Sequence, residues 1–390
     1  MSSNSVLYSF RRCPYAIRAR LALAAAGIPV EVREVALMAK PPELLEASAK
    51  GTVPVLLRPT GETLSESQDI LVWALGRRPG GTEAAKALRE GDAAFLLAEC
   101  DGAFKHHLDG FRYGGTEPAD SRGSSRRIGS PEHTDADSEP NRRDAHRKAA
   151  LAILRRWSSW LDGLVAAGTS RGHSGSPDQA GRSGGTGDGS RGGRAGPLEG
   201  AGGFAGCDGS GPVWLEPLGW AVLPFVRQFR LTDPEGFAQE SGLAQLRRQL
   251  AAFEASAAFA QVMAPPWAWR QPWRSPRWLY HLALAEEWRE ARRQGVYTRS
   301  TRGRSLADVG FIHASWSHQL TPTWQRFYAD LPDLRLLSID PERLAAAAIP
   351  VREEPSPPSE ERFPHIYGAL PIEAVRLAQR WEPPAEPPAP

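Results

Sequence analysis

The sequence is poor in cysteine. It has 3 cysteines among 390 residues, too few for a disulfide framework, and this predicts a reducing compartment. It also lacks an excess of either charge, because 47 lysines and arginines stand against 45 aspartates and glutamates. This balance predicts neither nucleic-acid binding nor an acidic interaction tail.

Long apolar runs are missing as well. No uninterrupted apolar stretch approaches the roughly 20 residues that a membrane-spanning helix needs. The first residues, MSSNSVLYSF, lack the basic-then-apolar order of a secretory signal. We therefore expect a cytoplasmic protein without membrane segments, and its length allows two or three domains.

Residues 1–80 carry alternating strand and helix signals. The apolar run at 5–10 predicts a buried strand, and the helical spacing after Pro14 predicts a helix that ends at Gly27. Two more strand signals follow, VEVREVAL and GTVPVLL, and a helix begins at LSES. This order predicts a small α/β domain with a mixed sheet.

Residues 83–264 carry helical periodicity throughout, interrupted by two polar tracts at 115–145 and 168–211. Both tracts are too poor in apolar residues to offset their ordering entropy, and we expect disordered insertions.

Residues 277–382 return to mixed signals and predict a small α+β domain. A strand at RWLYHLAL is followed by a helix that Gly295 ends, and HIYGALPIEAVRLAQRW predicts a turn and a closing helix. The proline-rich tail at 383–390 predicts an extended segment.

Cys13 lies at the predicted turn from strand to helix, and Pro14 occupies the first helical position. The helix N-terminus and the nearby Arg11, Arg12 and Arg18 favour a thiolate, which is the nucleophile in thiol–disulfide exchange. The alternative is a buried structural cysteine.

Two further motifs accompany this cysteine. Pro54 interrupts a strand signal, which indicates either a cis Val53–Pro54 bond beside a backbone free to pair with a ligand, or an ordinary edge proline. Glu66 and Ser67 open a helix, where they either hold an ammonium and a carboxylate or serve as a plain N-cap.

Cys-Pro-Tyr, Val-Pro and Glu-Ser in this order resemble the thioredoxin-like N-terminal domain of glutathione transferases. The cysteine and AKPPELLEASAKGTVPVL resemble the omega-like branch, and LPFVRQF with FEASAAFAQVM resembles its all-α domain. The resemblance covers residues 5–264 apart from the two insertions. It implies an α/β thioredoxin-like domain followed by an all-α domain.

The resemblance also implies a function, a glutathione-dependent thiol transferase with Cys13 as nucleophile. Glutathione would be held by a set of five residues: Lys40, Val53, Pro54, Glu66 and Ser67. Ala16 takes the place of a second cysteine, which implies a monothiol route resolved by a second glutathione. A small disulfide or electrophile is the expected second substrate, and a homodimer is the family's habit. The alternative is a non-catalytic protein that binds glutathione or a partner.

Three positions depart from this pattern or lie close to the expected cleft. Gly219 stands where the family has the aspartate of a capping box, so the helix that follows loses a side-chain cap. His106 and His107 are adjacent and point about 100° apart on a helix, which makes them poor ligands for one metal ion. We therefore expect no metal site.

The motifs YHLA, GFIHAS and FPHIYGALP in residues 278–376 resemble a small bacterial family of unknown function related in fold to ADP-ribosyltransferases and RNA 2′-phosphotransferases. This resemblance implies a site for NAD or another nucleotide, and the matching residues are His281, His313, Ser315, His365 and Tyr367. Arg299, Arg302 and Arg304 could meet phosphates. The alternative is that the histidines satisfy buried backbone groups. No glutamate can be assigned as a catalytic acid from sequence.

Overall fold

The computed structural model describes residues 4–79, 81–114, 139–171, 217–263, 272–356 and 360–382. The chain divides into two compact units. The first contains Met1–Ala19, Ile28–Ile70 and Met263–Pro390, and the second contains Arg20–Gly27 and Leu71–Val262. In the described part of the chain, no helix is both long and apolar enough to cross a membrane.

The N-terminal elements form a thioredoxin-like arrangement, as predicted. They are β1 (Ser5–Ser9), α1 (Pro14–Ala25), β2 (Val30–Glu34), α2 (Pro42–Ala47), β3 (Val55–Leu57), β4 (Thr63–Leu64) and α3 (Ser67–Leu75). The sheet order is β2-β1-β3-β4, with β1 parallel to β2 and antiparallel to β3. Strand β1 is buried along its whole length, and Gly27 has the left-handed φ of +62° expected after a helix end.

The second unit is all-helical, again as predicted. Its helices are α4 (Gly81–Ala87), α5 (Gly91–Glu99), α6 (Lys105–Tyr113), α7 (Glu139–Arg171), α8 (Leu218–Thr232), α9 (Pro234–Gln239), α10 (Ala244–Glu254) and α11 (Ala257–Met263). A π-helical turn, Cys100–Phe104, joins α5 to α6. Helix α8 begins without a side-chain cap, which confirms the prediction at Gly219.

The insertion predicted at 115–145 is wrong at its end, because 139–145 form the start of α7. These residues gain partners that the sequence does not show: Arg143 Nε donates to the Phe111 carbonyl oxygen at 3.0 Å. Likewise 168–171 continue α7. The rest of both predicted insertions and the tail at 383–390 lie outside the described residues.

The C-terminal part of the first unit is α+β, as predicted. Its elements are β5 (Leu279–Leu284), α12 (Ala285–Gln294), β6 (Val296–Tyr297), β7 (Arg299–Thr301), β8 (Arg304–Ser305), α13 (Leu306–Val309), β9 (Ile312–His313), α14 (Leu320–Phe327), β10 (Leu334–Ile339), α15 (Pro341–Ala346), β11 (Val351–Pro355), β12 (Arg362–Ile366), β13 (Leu370–Pro371) and β14 (Val375–Arg380). Among these, β5 and β14 flank β10, and β12 lies between β11 and β9.

The closing helix predicted from HIYGALPIEAVRLAQRW is wrong. Its last part is strand β14, which pairs antiparallel with β10 from Arg335 opposite Arg380 to Ile339 opposite Val375. Val375, Leu377 and Trp381 fit a period of two, whereas only Leu377 and Trp381 are also spaced as on a helix. The edge of β10 provides the backbone partners of the strand.

The C-terminal part packs on β2 and α2 within the first unit. The Trp273 N–H donates to the Glu34 carbonyl oxygen at 2.6 Å, and the Arg33 guanidinium lies 4.3 Å from the Trp273 ring centre. Ala39 shares a hydrophobic core with Trp278 and Tyr280. These contacts make the full-length chain the appropriate material for experiments on either part.

Candidate functional site

Cys13 stands at the N-terminus of α1. Its N–H donates to the Phe10 carbonyl oxygen at 3.0 Å, and its own carbonyl accepts from the Ile17 N–H at 2.9 Å. These two bonds close the turn and start the helix. The half-buried thiol therefore lies at the positive end of a 12-residue helix, where a thiolate is favoured.

The Val53–Pro54 peptide bond is cis, which confirms one of the two sequence interpretations. Cys13 Sγ lies 3.7 Å from the Val53 carbonyl oxygen, within the range of a weak S–H···O hydrogen bond. Among the described residues, the Val53 N–H has no hydrogen-bond partner. An extended peptide backbone beside the thiol could therefore pair with this N–H.

Arg18 does not flank the thiol in the way the sequence suggested. It is fully buried, and its Nη1 donates to Ser67 Oγ at 3.0 Å. Ser67 is the first residue of α3 and is also buried. The structure thus places a guanidinium and a hydroxyl together at a helix N-terminus, where an anion is stabilised. Arg18 is the residue in this arrangement whose role the sequence analysis missed.

Glu66 is exposed and pairs with Lys50, which is exposed as well. The carboxylate raises the pKa of Lys50. Because both side chains face solvent, the pair is weak, and an incoming ammonium can take the place of Lys50.

Lys40 is half-buried near the loop that leads to Val53. A Cβ added to Gly51 would lie 3.8 Å from Lys40 Nζ, and Gly51 has a φ of +58° that favours glycine. The ammonium therefore lies beside the loop that leads from α2 to Val53. Its predicted contact with a glycine carboxylate stays a prediction.

In the C-terminal part, both ring nitrogens of His281 are occupied. Nδ1 donates to the His313 carbonyl oxygen at 2.6 Å, and Nε2 lies 2.9 Å from Tyr297 Oη. Burial lowers the pKa of His281 to about 4, so the ring is neutral near pH 7. With the proton on Nδ1, Nε2 must accept from the Tyr297 hydroxyl. This geometry matches the alternative in which a histidine satisfies buried groups.

Glu287 is a carboxylate that the sequence analysis did not assign. Tyr297 Oη lies 3.4 Å from Glu287 Oε2, which joins Glu287, Tyr297 and His281 in one chain of polar groups. Burial raises the pKa of Glu287. Its position on α12, which directly follows the strand of His281, is the signal that could have identified it.

His365 has one bound and one unbound ring nitrogen. Nδ1 lies 2.7 Å from Glu354 Oε2, and the ring stacks on Phe311 with centroids 3.9 Å apart. Nε2 is buried and has no hydrogen-bond partner among the described residues. Because the carboxylate fixes the proton on Nδ1, Nε2 presents a lone pair. The residue is only 6% exposed.

Two other predicted residues lie beside His365. Its ring is 5.2 Å from that of His313, whose Nδ1 is 3.0 Å from Ser300 Oγ. Tyr367 donates to the same Glu354 carboxylate at 2.8 Å.

The remaining predicted groups are directed elsewhere. Ser315 Oγ bonds to Thr323 Oγ1 at 3.2 Å, and Arg302 pairs with Asp330 at 2.7 Å. Arg299 lies 3.8 Å from Glu287.

A third cluster lies in the second unit. It consists of His106, His107 and His146. One ring nitrogen from each of these histidines lies within 4.8 Å of the corresponding nitrogens of the other two. His107 Nδ1 and His146 Nδ1 are 3.0 Å apart. The sequence prediction rests on the two adjacent histidines, whereas in the structure a third histidine, His146, reaches the pair from α7. Burial lowers the pKa of both His107 and His146.

Comparison with protein families gives two matches. Residues 7–82 match the model described as glutathione S-transferase, N-terminal domain. Residues 282–378 match the model described as protein of unknown function (DUF952). A search of curated proteins gives no match.

Several solved structures are similar to part of this chain. Protein CC0527 from Caulobacter crescentus is 30% identical, with 26% of this chain and 84% of that chain covered and a TM-score of 0.23. A glutathione S-transferase from Methylobacillus flagellatus with GSH bound is 18% identical, with 66% and 98% covered and a TM-score of 0.40. Glutathione transferase Omega 3C from Trametes versicolor is 14% identical, with 67% and 90% covered and a TM-score of 0.41.

Proposed function

Because residues 7–82 form a glutathione S-transferase N-terminal domain, we propose that the protein is a glutathione-dependent thiol transferase of omega-like type with Cys13 as its nucleophile. The observation that supports this most directly is the half-buried thiol at a helix N-terminus, 3.7 Å from the Val53 carbonyl oxygen beside cis-Pro54. In the classes that stabilise the glutathione thiolate, a hydroxyl residue would stand here instead of a thiol.

The first step is an exchange of one disulfide for another. The Cys13 thiolate attacks the glutathione sulfur of a mixed disulfide, the old S–S bond breaks, and the second substrate leaves as a thiolate that takes a proton from water. Cys13 then carries glutathione as a mixed disulfide. The helix N-terminus favours the attacking thiolate and stabilises it again when it leaves.

The second step needs a second glutathione. Ala16 is buried one helical turn after Cys13 and offers no thiol. A glutathione thiolate therefore attacks the glutathione sulfur of the intermediate, and the products are glutathione disulfide and the Cys13 thiolate. Over the two steps, the mixed disulfide and one glutathione thiol become glutathione disulfide and the free thiol of the second substrate, so one disulfide is consumed and one is formed.

The surrounding residues hold the tripeptide along its length. The Val53 N–H pairs with its backbone, and Ser67 with the α3 N-terminus and the Arg18 charge binds the γ-glutamyl carboxylate. Glu66 exchanges Lys50 for the γ-glutamyl ammonium, and Lys40 meets the glycine carboxylate.

The test is reduction of the mixed disulfide of glutathione and 2-mercaptoethanol by the full-length protein. We expect Cys13→Ser to lose this activity to the uncatalysed rate and to lose the glutathionyl adduct seen by mass spectrometry. Cys100→Ala, which removes a buried thiol in the other unit, serves as the matched control and should retain activity. Glutathione binding without turnover in the wild type would favour the non-catalytic alternative instead.

A second candidate function concerns residues 282–378. We propose that this domain binds a nucleotide such as NAD. The observation that favours it is the buried Nε2 of His365, which has no hydrogen-bond partner in the described part of the chain and lies beside Phe311 and Tyr367. A lone pair fixed by a carboxylate can accept from a ribose hydroxyl, and the adjacent aromatic rings can contact a planar ring.

Calorimetry of the full-length chain with NAD and with ADP-ribose tests this second function. We expect saturable binding that is lost in His365→Phe, which keeps an aromatic ring against Phe311 but has no nitrogen. His318→Gln, an exposed position in the same domain, is the control. The absence of heat with both ligands would contradict the proposal.

A further inference from the structure

The histidine cluster of the second unit is independent of the Cys13 site and of the C-terminal domain. His106 and His107 lie in the first turn of α6, and His146 lies in the first turns of α7. The three ring centroids are 5.2, 5.3 and 5.3 Å apart, which makes an almost equilateral triangle. The three rings therefore surround one point.

That point has the geometry of a metal position. The centre of an equilateral triangle with sides of 5.3 Å lies about 3.1 Å from each corner. A zinc-bound imidazole has its ring centre about 3.2 Å from the metal, since the Zn–N bond is about 2.0–2.1 Å and the ring radius is added to it. The 3.0 Å between His107 Nδ1 and His146 Nδ1 also approaches the roughly 3.3 Å between two nitrogens on a tetrahedral zinc ion.

The sequence provides room for this convergence. A Cβ added at Gly110, one turn after His106, would lie 2.5 Å from the His146 ring, so only glycine lets His146 approach α6 this closely. The neighbouring carboxylates are held in lysine pairs, Asp109 with Lys105 and Asp144 with Lys148. The cluster of described residues therefore has an all-imidazole donor set.

The donor set selects the metal class. Neutral imidazole suits zinc, copper, nickel and cobalt, whereas calcium and magnesium prefer oxygen ligands. A cavity of about 170 Å³ lined by His107, Arg142, Ala145 and His146 adjoins the cluster and leaves space for a further ligand.

We propose that His106, His107 and His146 bind one zinc-type divalent transition-metal ion, which clamps α6 to α7 and keeps a coordination position open toward the cavity beside Arg142. A water molecule or a small anion would fill that position, with the Arg142 guanidinium available to an anion.

The test is titration of the full-length, chelator-treated protein with zinc chloride by calorimetry and with cobalt chloride by visible absorption. We expect one ion per chain at this site, a rise in the thermal unfolding temperature, and a cobalt spectrum without the thiolate charge-transfer band that cysteine ligation would give. The double variant His107→Gln, His146→Gln should lose this ion and the thermal shift, and His318→Gln should keep both.

Gly110→Ala keeps all three histidines but moves the His146 ring away. We expect it to weaken zinc binding at least tenfold while circular dichroism shows an unchanged helix content. Zinc binding of equal strength in the double variant, or absence of saturable binding in the wild type, would overturn the proposal. In that case the 3.0 Å contact is a hydrogen bond between two neutral imidazoles.

Discussion

Two histidine trios among the described residues show how partners decide what one residue type does. In the C-terminal domain, the Nδ1 atom of each histidine lies within hydrogen-bond distance of a different oxygen atom. The partner of His281 is a carbonyl oxygen, that of His313 is a serine hydroxyl, and that of His365 is a carboxylate. In the helical unit, the rings of His106, His107 and His146 face one another instead. A ring that is hydrogen-bonded to its own oxygen atom is held in place as part of the core, whereas rings that face one another can bind a common ligand between them.

The difference also appears in burial. His281 is buried within the C-terminal core, while the helical trio lies near the surface, with His106 exposed and the other two half-buried. A buried histidine whose two nitrogens are bonded cannot be removed without leaving polar groups unpaired. A histidine near the surface can be removed without this cost, because water replaces its hydrogen-bond partners. The predictions below test this contrast.

The largest effect is expected from His281→Ala. The change removes the donor to the His313 carbonyl, leaves the Tyr297 hydroxyl only its 3.4 Å contact with Glu287, and opens a cavity. We expect a cost of about 3–5 kcal/mol. Hydrogen exchange measured by mass spectrometry on peptides from β5 and β10 gives the local free energy of opening. His318→Gln is the control, and a loss below about 1 kcal/mol in His281→Ala would contradict the assignment.

Acidification should have the next largest effect. Burial lowers the pKa of His281 to about 4, whereas an unfolded histidine has a pKa of about 6.5. Between these values the unfolded chain binds more protons than the folded domain, so the stability contributed by neutral His281 is complete above pH 6.5 and is lost as the pH falls toward 4. The gap corresponds to about 3 kcal/mol.

The same exchange experiment at pH 7 and pH 4.5, corrected for intrinsic rates, measures this loss. His281→Asn retains a donor toward the His313 carbonyl but does not titrate in this range. Its additional loss at pH 4.5, relative to pH 7, should therefore be smaller than that of the wild type. Equal losses in both proteins would show that other groups carry the acid sensitivity.

Tyr297→Phe should have an intermediate effect. It keeps the ring in the core but removes the hydroxyl that donates to His281 Nε2, which we expect to cost about 1–2 kcal/mol. Tyr367→Phe is the matched comparison, because its hydroxyl bonds to the solvent-accessible Glu354 and its loss should cost less than the loss of the Tyr297 hydroxyl. If the two variants lost similar amounts of stability, the hydrogen bond of Tyr297 in the core would not differ in strength from that of Tyr367 near the surface.

The smallest effect is expected from His146→Gln in the presence of a chelator. The ring is half-buried and its polar contact among the described residues is with another histidine, so stability should change by less than about 0.5 kcal/mol. The thermal unfolding temperature with and without chelator measures this. A large destabilisation without metal would mean that this trio is structural, like the one in the C-terminal domain.

The sequence predicted elements wherever the signal is local. Pro14 at the first helical position and Gly27 and Gly295 past helix ends are confirmed, since each depends on the φ that its own backbone can adopt. The cis Val53–Pro54 bond is also a local feature, and it is one of the two alternatives that the sequence left open. Local signals failed at β14, because a short apolar pattern fits both periods and only the neighbouring strand provides the hydrogen bonds that decide.

The sequence by itself determined the order of the domains and the position of Cys13 at a helix start, because propensity, capping and turn geometry act between residues close in the chain. Only the tertiary structure decided that Arg18 donates a hydrogen bond to Ser67, that Tyr297 bonds to the second ring nitrogen of His281, and that His146 contacts His107. These partners lie 16 to 49 residues apart. The residues between two such partners do not determine the distance between their side chains, because that distance is set by the packing of whole helices and strands.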